Sequence, residues 1–534
     1  MSVSPFAAKL GSNYVPCDEE LEQLRAYIRE PLCRLAALED RMAALRAQLD
    51  LLTSQRDALK ATIDEHKALL SPMRRVPEDI LREVFEYCLA AEPVVLIDAR
   101  RAPMLLTHVC AHWRHLAHAM PSLWGAVHIP GSTFSQPGGI GGMLKFNSAI
   151  VGGWLARTKD TTQPMSLSMS FRSLNQTLGI VLQDTFPRLR RLELTLESGD
   201  NLYMQPFLRQ KPKDLPRLEV LKIDSKEDSG PHFWPGVELL SLPTLRSVSL
   251  RIRVDPMRLP LPWNDLLELN LRCFFSATTM PAVFVGGLSV ADSLDVVRRC
   301  PRLRKCSFQI TRGGQFQQRP AVHTTELRDL ALSDAIFLPQ FLERLDAPSL
   351  ERLELAPKAG RENDDRIAFL RALQPHTAHL TAVDFVVTLF NTQTLTALLS
   401  MVPLLRCLTL RAGQANPDGV ISREEILDNS VLGSLTPMAF SDASVYCPFL
   451  THVEFFSCAM FSDWKLLEFI RARMTSQAAT LPMLCSVVVC FERPRYKDIL
   501  PAVADHMKAG LKLRLEYTQA VVWRYDPRAG LCEL

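Results

Sequence analysis

Four histidines, His108, His112, His115 and His118, stand at helical spacing in one short stretch of the chain. On a single helix, at about 100° per residue, they fall within an arc of about 120°. Histidines four residues apart are a metal-ligand spacing. That segment carries no carboxylate, and neither H-E-x-x-H nor C-x-x-C occurs in the chain. The histidines also lie opposite Val109, Trp113 and Leu116, so they read as the polar side of an amphipathic helix, and no metal is expected. Cys300 and Cys306, and again Cys485 and Cys490, flank short leucine-rich segments without a histidine placed to activate them. The run Glu362-Asn363-Asp364-Asp365 precedes IAFLRAL and reads as a helix N-terminal cap. G-x-S-x-G is absent. The glycines between 130 and 142 fit neither phosphate-binding fingerprint and read as a linker loop. Basic strings such as Arg188-Leu189-Arg190-Arg191 are interrupted by leucines and read as solvated faces. No catalytic residue and no cofactor is expected, and the chain does not read as an enzyme.

The elements that would position such residues give more information. At 534 residues the chain has room for several domains or one extended repeat array. Hydrophobic residues make up 47% and charged residues 22%, a globular rather than a disordered composition. Sixty-one basic and 58 acidic residues leave a net charge of +3, which gives no argument for a nucleic-acid or anionic-membrane partner. Thirteen scattered cysteines are an odd number and read as reduced thiols. The N-terminus lacks the apolar core of a signal peptide, and no run of 18 apolar residues exists. A cytoplasmic or nuclear location is expected.

Between Arg74 and Trp124 two amphipathic helices are predicted. The first opens at Pro77, with Glu78 and Asp79 in its first turn, and carries Ile80, Leu81, Val84, Phe85, Cys88 and Leu89. The second runs from Pro103 to about Met120 and carries Leu105, Val109, Cys110, Trp113, Leu116 and Ala117. Such short helices cannot bury this much apolar surface among themselves, so a partner is expected. Val76-Pro77, Ile80-Leu81, Val84-Phe85, Val109-Cys110, Trp113 and Pro121-x-Leu123-Trp124 resemble an F-box, although Val76 stands where Leu is usual. The layout, with a heptad helix before SPMRRVPEDIL, resembles the F-box proteins of basidiomycete, mushroom-forming fungi. The resemblance implies docking on a Skp-type adaptor, and through it on a cullin. The adaptor-binding residues would be Val76, Pro77, Ile80, Leu81, Val84, Phe85, Leu89, Val109, Trp113 and Leu116.

Upstream, residues 1–20 read as a mobile leader and 21–71 as a coiled-coil helix. Leu21, Ile28, Leu35, Met42, Leu49 and Ile63 fall seven or fourteen apart, with Leu24, Leu38, Leu45, Leu52 and Leu59 as companions. Pro31 occupies a companion position and is expected to kink or restart the helix. Arg56 occupies a core position. A homodimer through this helix and packing on its own chain are both open. Residues 72–125 form the F-box-like module and 126–163 a linker.

From 164 to 534 an L-x-x-L-x-L core recurs eleven times, from PRLRRLELTL at 187 to PMLCSVVVCF at 482. MSLSMSF opens the series and LKLRLEY closes it. Many units place Pro two residues before the first Leu. A strand followed by a helix or irregular arc, repeated this often, predicts an α/β repeat fold, a leucine-rich-repeat solenoid. The units resemble the divergent repeats of F-box proteins, with no recurring capping Asn. Strand alternation sends Leu192 and Leu194 inward and Glu193 outward. The target would sit on the concave sheet face, centred on Arg411, His452, Glu454 and Phe456, where an aromatic lies in a polar rim. The function expected is that of a substrate-recognition subunit of an SCF-type cullin–RING ubiquitin ligase, binding a protein target and neither nucleic acid nor membrane. The alternative is a scaffold or sensor outside ubiquitin chemistry.

Overall fold

The structure, a computed structural model, describes residues 4–89, 95–129, 148–158, 162–170, 182–196, 208, 210–225, 233–276, 283–285, 287–312, 320–335, 337–357, 366–413, 427–437, 446–475 and 482–518. The glycine-rich loop at 130–142 and the acidic run Glu362–Asp365 lie outside these residues. Contacts divide the chain into two units, Met1–Val84 and Phe85–Leu534.

The first unit is dominated by one helix, α1 (Asp18–Leu69). Asp18, Glu19 and Glu20 occupy its first turn, where negative charge suits the helix N-terminus. Pro31 lies inside α1 and does not end it, contrary to the expectation of a restart. A proline ring removes one N–H and displaces one carbonyl, and on a helix as exposed as this one the displaced carbonyl is within reach of water. The expected mobile leader carries contacts of its own. Lys9 Nζ donates to Glu20 at 2.7 Å, Tyr14 Oη donates to the same carboxylate at 2.7 Å, and the Cys17 N–H donates at 3.1 Å. These hydrogen bonds, Lys9 foremost, hold Glu20 down at about 2. Phe6 is buried.

Helix α2 (Glu78–Tyr87) spans the boundary between the units. The single second helix expected from Pro103 to Met120 is instead two, α3 (Met104–Val109) and α4 (Ala111–His118). Cys110 between them is fully extended, φ −159° and ψ 171°, and its Sγ accepts the Trp113 N–H as an N-cap at 3.4 Å. Arg114 Nε closes the break by donating to the Thr107 carbonyl at 2.8 Å.

A parallel sheet fills most of the second unit. Its strands follow chain order, β1 (Ala126–Ile129), β2 (Met165–Ser170), β3 (Leu189–Leu196), β4 (Val220–Ser225), β5 (Ser247–Arg251), β6 (Glu268–Arg272) and β7 (Lys305–Arg312). It continues through β8 (Asp329–Ala335), β9 (Arg352–Pro357), β10 (Ala382–Val386), β11 (Cys407–Arg411), β12 (His452–Phe456), β13 (Ser486–Phe491) and β14 (Lys512–Tyr517). A short strand at Leu288–Ser289 pairs with β7 and completes fifteen. The sheet therefore begins at Ala126, inside the segment expected to be a linker, because Val127 and Ile129 alternate inward in register with Leu167 and Met169.

One local device repeats from strand to strand. Before β4, β5, β7, β9, β11 and β12 the chain turns with Pro at the second position, and the following Leu N–H donates back three residues, as in Leu218 to Leu215 and Leu405 to Val402. Proline suits that position because its fixed φ matches the turn and no N–H is needed there. The residue after this Leu then accepts two N–H groups from the next strand on a single carbonyl. Glu219, Arg246, Leu267, Arg304, Arg328, Glu351, Thr381, Arg406 and Thr451 all do so, at 2.7 to 3.2 Å. Side chains alternate beyond it: Leu353 and Leu355 are buried and Arg352 and Glu354 exposed.

The return segments differ along the sheet. Between β4 and β6 they are 3₁₀ turns, such as Trp234–Gly236 and Trp263–Asp265. From β6 onward α-helices take over: α6 (Val290–Arg299), α7 (Leu338–Leu342), α8 (Arg366–Leu373), α9 (Thr392–Met401), α10 (Asn429–Ser434), α11 (Asp463–Thr475) and α12 (Leu500–Lys508), α5 being Ser148–Ala156 near the start. Each of α6 to α11 touches the next. Phe385 of β10, Phe390 and Phe369 of α8 meet with ring centroids 5.6 to 5.7 Å apart and form one station of the core.

Candidate partner-binding surfaces

Residues on α2 divide between two sides rather than forming one stripe. Leu81 and Phe85, four apart, are 1% and 0% exposed, whereas Ile80 and Val84 are 46% and 39% exposed. The two pairs stand about 100° apart on the helix, so one pair faces the core and the other solvent. Phe85 packs against Trp113 with ring centroids 4.9 Å apart. Leu81, Phe85 and Leu116, all expected among the docking contacts, are buried in the chain itself. Of the other residues expected there, Pro77, Ile80, Val84 and Val109 are exposed, and Val76, Leu89 and Trp113 are partly so. Leu105 on α3 is exposed as well and was not among them. Its place in the apolar stripe of the sequence was the signal.

Tryptophans hold α4 in place. Trp124 Nε1 donates to the Ala117 carbonyl at 2.9 Å, and Trp154 Nε1 of α5 donates to the Trp124 carbonyl at 3.0 Å. The two indoles meet edge to face at 4.8 Å, and the Arg157 guanidinium lies 4.2 Å from the Trp124 centroid. His118 sits 5.7 Å from the same indole. Burial, then the charges of Arg157 and Arg114, lowers its pKa. His108 lies on α3 and the other three histidines on α4, so the break at Cys110 splits the predicted arc. No group of His, Cys, Asp or Glu among the described residues has the arrangement of a metal site.

The four residues expected to contact a target do come together. Arg411 of β11 is in register with Phe456 of β12, Thr409 with Glu454, and Cys407 with His452. Asp384 of β10 accepts from Arg411 Nε at 2.8 and 3.1 Å and from its Nη2 at 2.7 Å. That contact, ahead of any cost of burial, raises the arginine pKa further. The guanidinium lies 5.0 Å from the Phe456 centroid, so arginine and ring are held as a stacked pair. Similar pairs cross the same face elsewhere, Arg251 with Asp224 at 3.5 Å and Arg352 with Asp329 at 3.3 Å. A face neutralised strand by strand suits a mixed-charge protein surface better than a polyanion.

Two buried charges beside β12 and β13 lie outside the sequence reading. Asp463 opens α11 with its side chain 2% exposed. It accepts Arg493 Nη2 at 2.8 Å, the N–H groups of Tyr496 and Lys497 at 3.1 and 2.9 Å, and Tyr517 Oη at 3.1 Å. Burial alone would raise its pKa; Arg493 and the Lys497 N–H outweigh that and hold it below its ordinary value. Arg493 in turn lies 4.2 Å from the Phe491 ring centroid, which stacks on Tyr517. Arg473 of α11 is the second, and among the described residues its hydrogen bonds all go to carbonyls. Leu435, Tyr446, Cys447 and Pro448 accept from it at 2.7 to 3.2 Å, and burial lowers its pKa to about 10. Among the expected cysteines, burial pushes Cys300 up to about 12 and Cys306 higher still, so neither is a thiolate at neutral pH.

No family model and no curated protein matches this chain. No helix among the described residues is long and apolar enough to cross a membrane.

Proposed function

We propose that this chain is a non-catalytic substrate receptor of an SCF-type ubiquitin ligase. In this reading α2 to α4 are an F-box that docks on a Skp-type adaptor, and through it on a cullin. The sheet is a divergent leucine-rich-repeat solenoid whose polar face takes the target. The observation that carries the docking half is the solvent-facing pair Ile80 and Val84 on a helix whose neighbouring pair, Leu81 and Phe85, is already buried. Exposed apolar side chains gathered in one patch with a polar rim mark an interaction surface. Leu105 and Val109, four apart on α3, repeat the arrangement. Support for the solenoid comes from the recurring proline turn and shared carbonyl, which make each unit bond chiefly to its neighbours. Holding a target near a ubiquitin-loaded enzyme needs no local chemistry, only effective concentration.

The test is co-purification with a Skp-type adaptor. Ile80→Asp with Val84→Asp places two charges in the contact and is expected to weaken adaptor binding at least tenfold with the fold unchanged by circular dichroism, since both residues are exposed. Undiminished binding by that variant, or no adaptor bound by the intact chain, leaves the scaffold reading in its place.

A further inference from the structure

Helix α1 carries a heptad seam along an exposed helix of about 78 Å, at about 1.5 Å per residue. From Leu35 to Ile63 the seam residues Leu35, Leu38, Met42, Leu45, Leu49, Leu52, Leu59 and Ile63 are all between 44% and 65% exposed. Charge is sorted around this seam. With Leu35 at position a, the flanking e and g positions from Leu32 to Leu69 hold Arg34, Arg41, Arg46, Lys60 and Lys67 against the single acid Glu39. The outer b, c and f positions over the same span hold Asp40, Asp50, Asp57, Asp64 and Glu65 and no base. Arg56, at an a position, turns its guanidinium onto Asp57 at 2.6 Å.

We infer that the α1 seam binds one heptad-patterned helix of another protein, with Glu and Asp at its own flanking positions. A second copy of this chain is a poor occupant. In a parallel pair Arg41 meets Arg46 of the other copy and only Arg34 finds Glu39; in an antiparallel pair basic flanks face basic flanks. Two copies would bring ten flanking bases to one seam against two acids. An acidic partner makes the contacts of all five flanking bases attractive and leaves only Glu39 facing like charge, and such flanking charges set partner choice in coiled coils. A lipid surface fits no better. A strict seven-residue repeat drifts by about 20° per heptad on a straight helix, so this stripe winds away from any plane, whereas a supercoiled partner follows it. The inference does not depend on the adaptor reading, because none of these residues belongs to α2, α3 or α4.

The experiment uses the full chain and two labelled synthetic peptides of five heptads, with Ile at a and Leu at d, one with Glu and one with Lys at e and g. The Glu peptide is expected to bind, the Lys peptide at least tenfold more weakly, with the difference shrinking as salt rises. The triple variant Arg34→Glu, Arg41→Glu, Arg46→Glu should reverse the preference. Leu38→Asp, Leu45→Asp, Leu52→Asp should abolish binding, and circular dichroism checks that the chain stays folded. Equal binding of both peptides, or binding of neither, overturns the inference. So does sedimentation of the chain alone as a dimer that the leucine variant dissociates, which makes a second copy the occupant. Retention by phosphatidylglycerol vesicles, lost in the leucine variant, replaces the helix with a lipid surface.

Discussion

The leucines of α1 and the leucines of the sheet have the same chemistry and opposite fates. Leu45 and Leu52 are 57% and 64% exposed, while Leu353 and Leu355 are at 0%. Both sets are periodic, at 3.5 residues in the helix and 2 in the strands. In the sheet every strand finds the next strand of the same chain at its edge, and the return segments cover its inner face. On α1 the seam leucines from Leu35 to Leu59 are all more than half exposed. Periodicity thus predicts which residues share a face. Whether that face is buried depends on a second surface, which in the sheet comes from the same chain.

The largest effect should come where the partner is internal. Leu353→Ala leaves a hole in a close-packed layer and should cost about 4 kcal/mol in denaturant titration. A loss under about 1 kcal/mol would mean that the layer relaxes around the hole and that the sheet core is as loose as the helix seam.

Next in size is the lock that joins α11 to the last two strands. Asp463→Asn leaves the partly buried Arg493 without its counter-charge and should cost about 3 kcal/mol at pH 7. The folded carboxylate titrates below its ordinary value. Its contribution is therefore complete above the unfolded value of about 3.9 and is lost as pH falls through the folded one. The gap between variant and parent should accordingly narrow as pH falls below about 4 in parallel denaturant titrations. A gap that does not narrow there would assign the loss to shape rather than charge.

Much of this was legible because it is local. The alternating leucines and the proline two residues before them specify a turn and a strand within about ten residues, so β3 to β14 fall where the pattern puts them. The sorted faces of α1 are legible in the same way. What stayed hidden depends on distance. Asp463 is one acid at a helix start until Arg493 and Tyr517, 30 and 54 residues later, close on it. Arg473 meets no carboxylate among the described residues, only the carbonyls of Leu435, Tyr446, Cys447 and Pro448, which sequence spacing does not announce. The break at Cys110 hid for another reason: Val109 to Trp113 keep helical spacing, and a thiol is not an ordinary N-cap. Among the adaptor residues, apolar spacing grouped Ile80 with Leu81, and only the fold separates the buried Leu81 from the exposed Ile80.

The smallest effect is the one that isolates the helix. Leu45→Ala removes the same atoms as Leu353→Ala, but from a side chain already 57% exposed. No cavity forms, and Ala is the better helix former by a few tenths of a kcal/mol. Stability of the chain alone should therefore change by less than about 0.5 kcal/mol, in either direction. The same substitution should reduce affinity for the acidic heptad peptide, because there the methyl groups are removed from a packed seam. The two measurements together separate an exposed leucine that is merely tolerated from one that has a use. A loss of 2 kcal/mol or more in the unaccompanied chain would show that α1 already packs its seam against its own protein, and the contrast with the sheet would disappear.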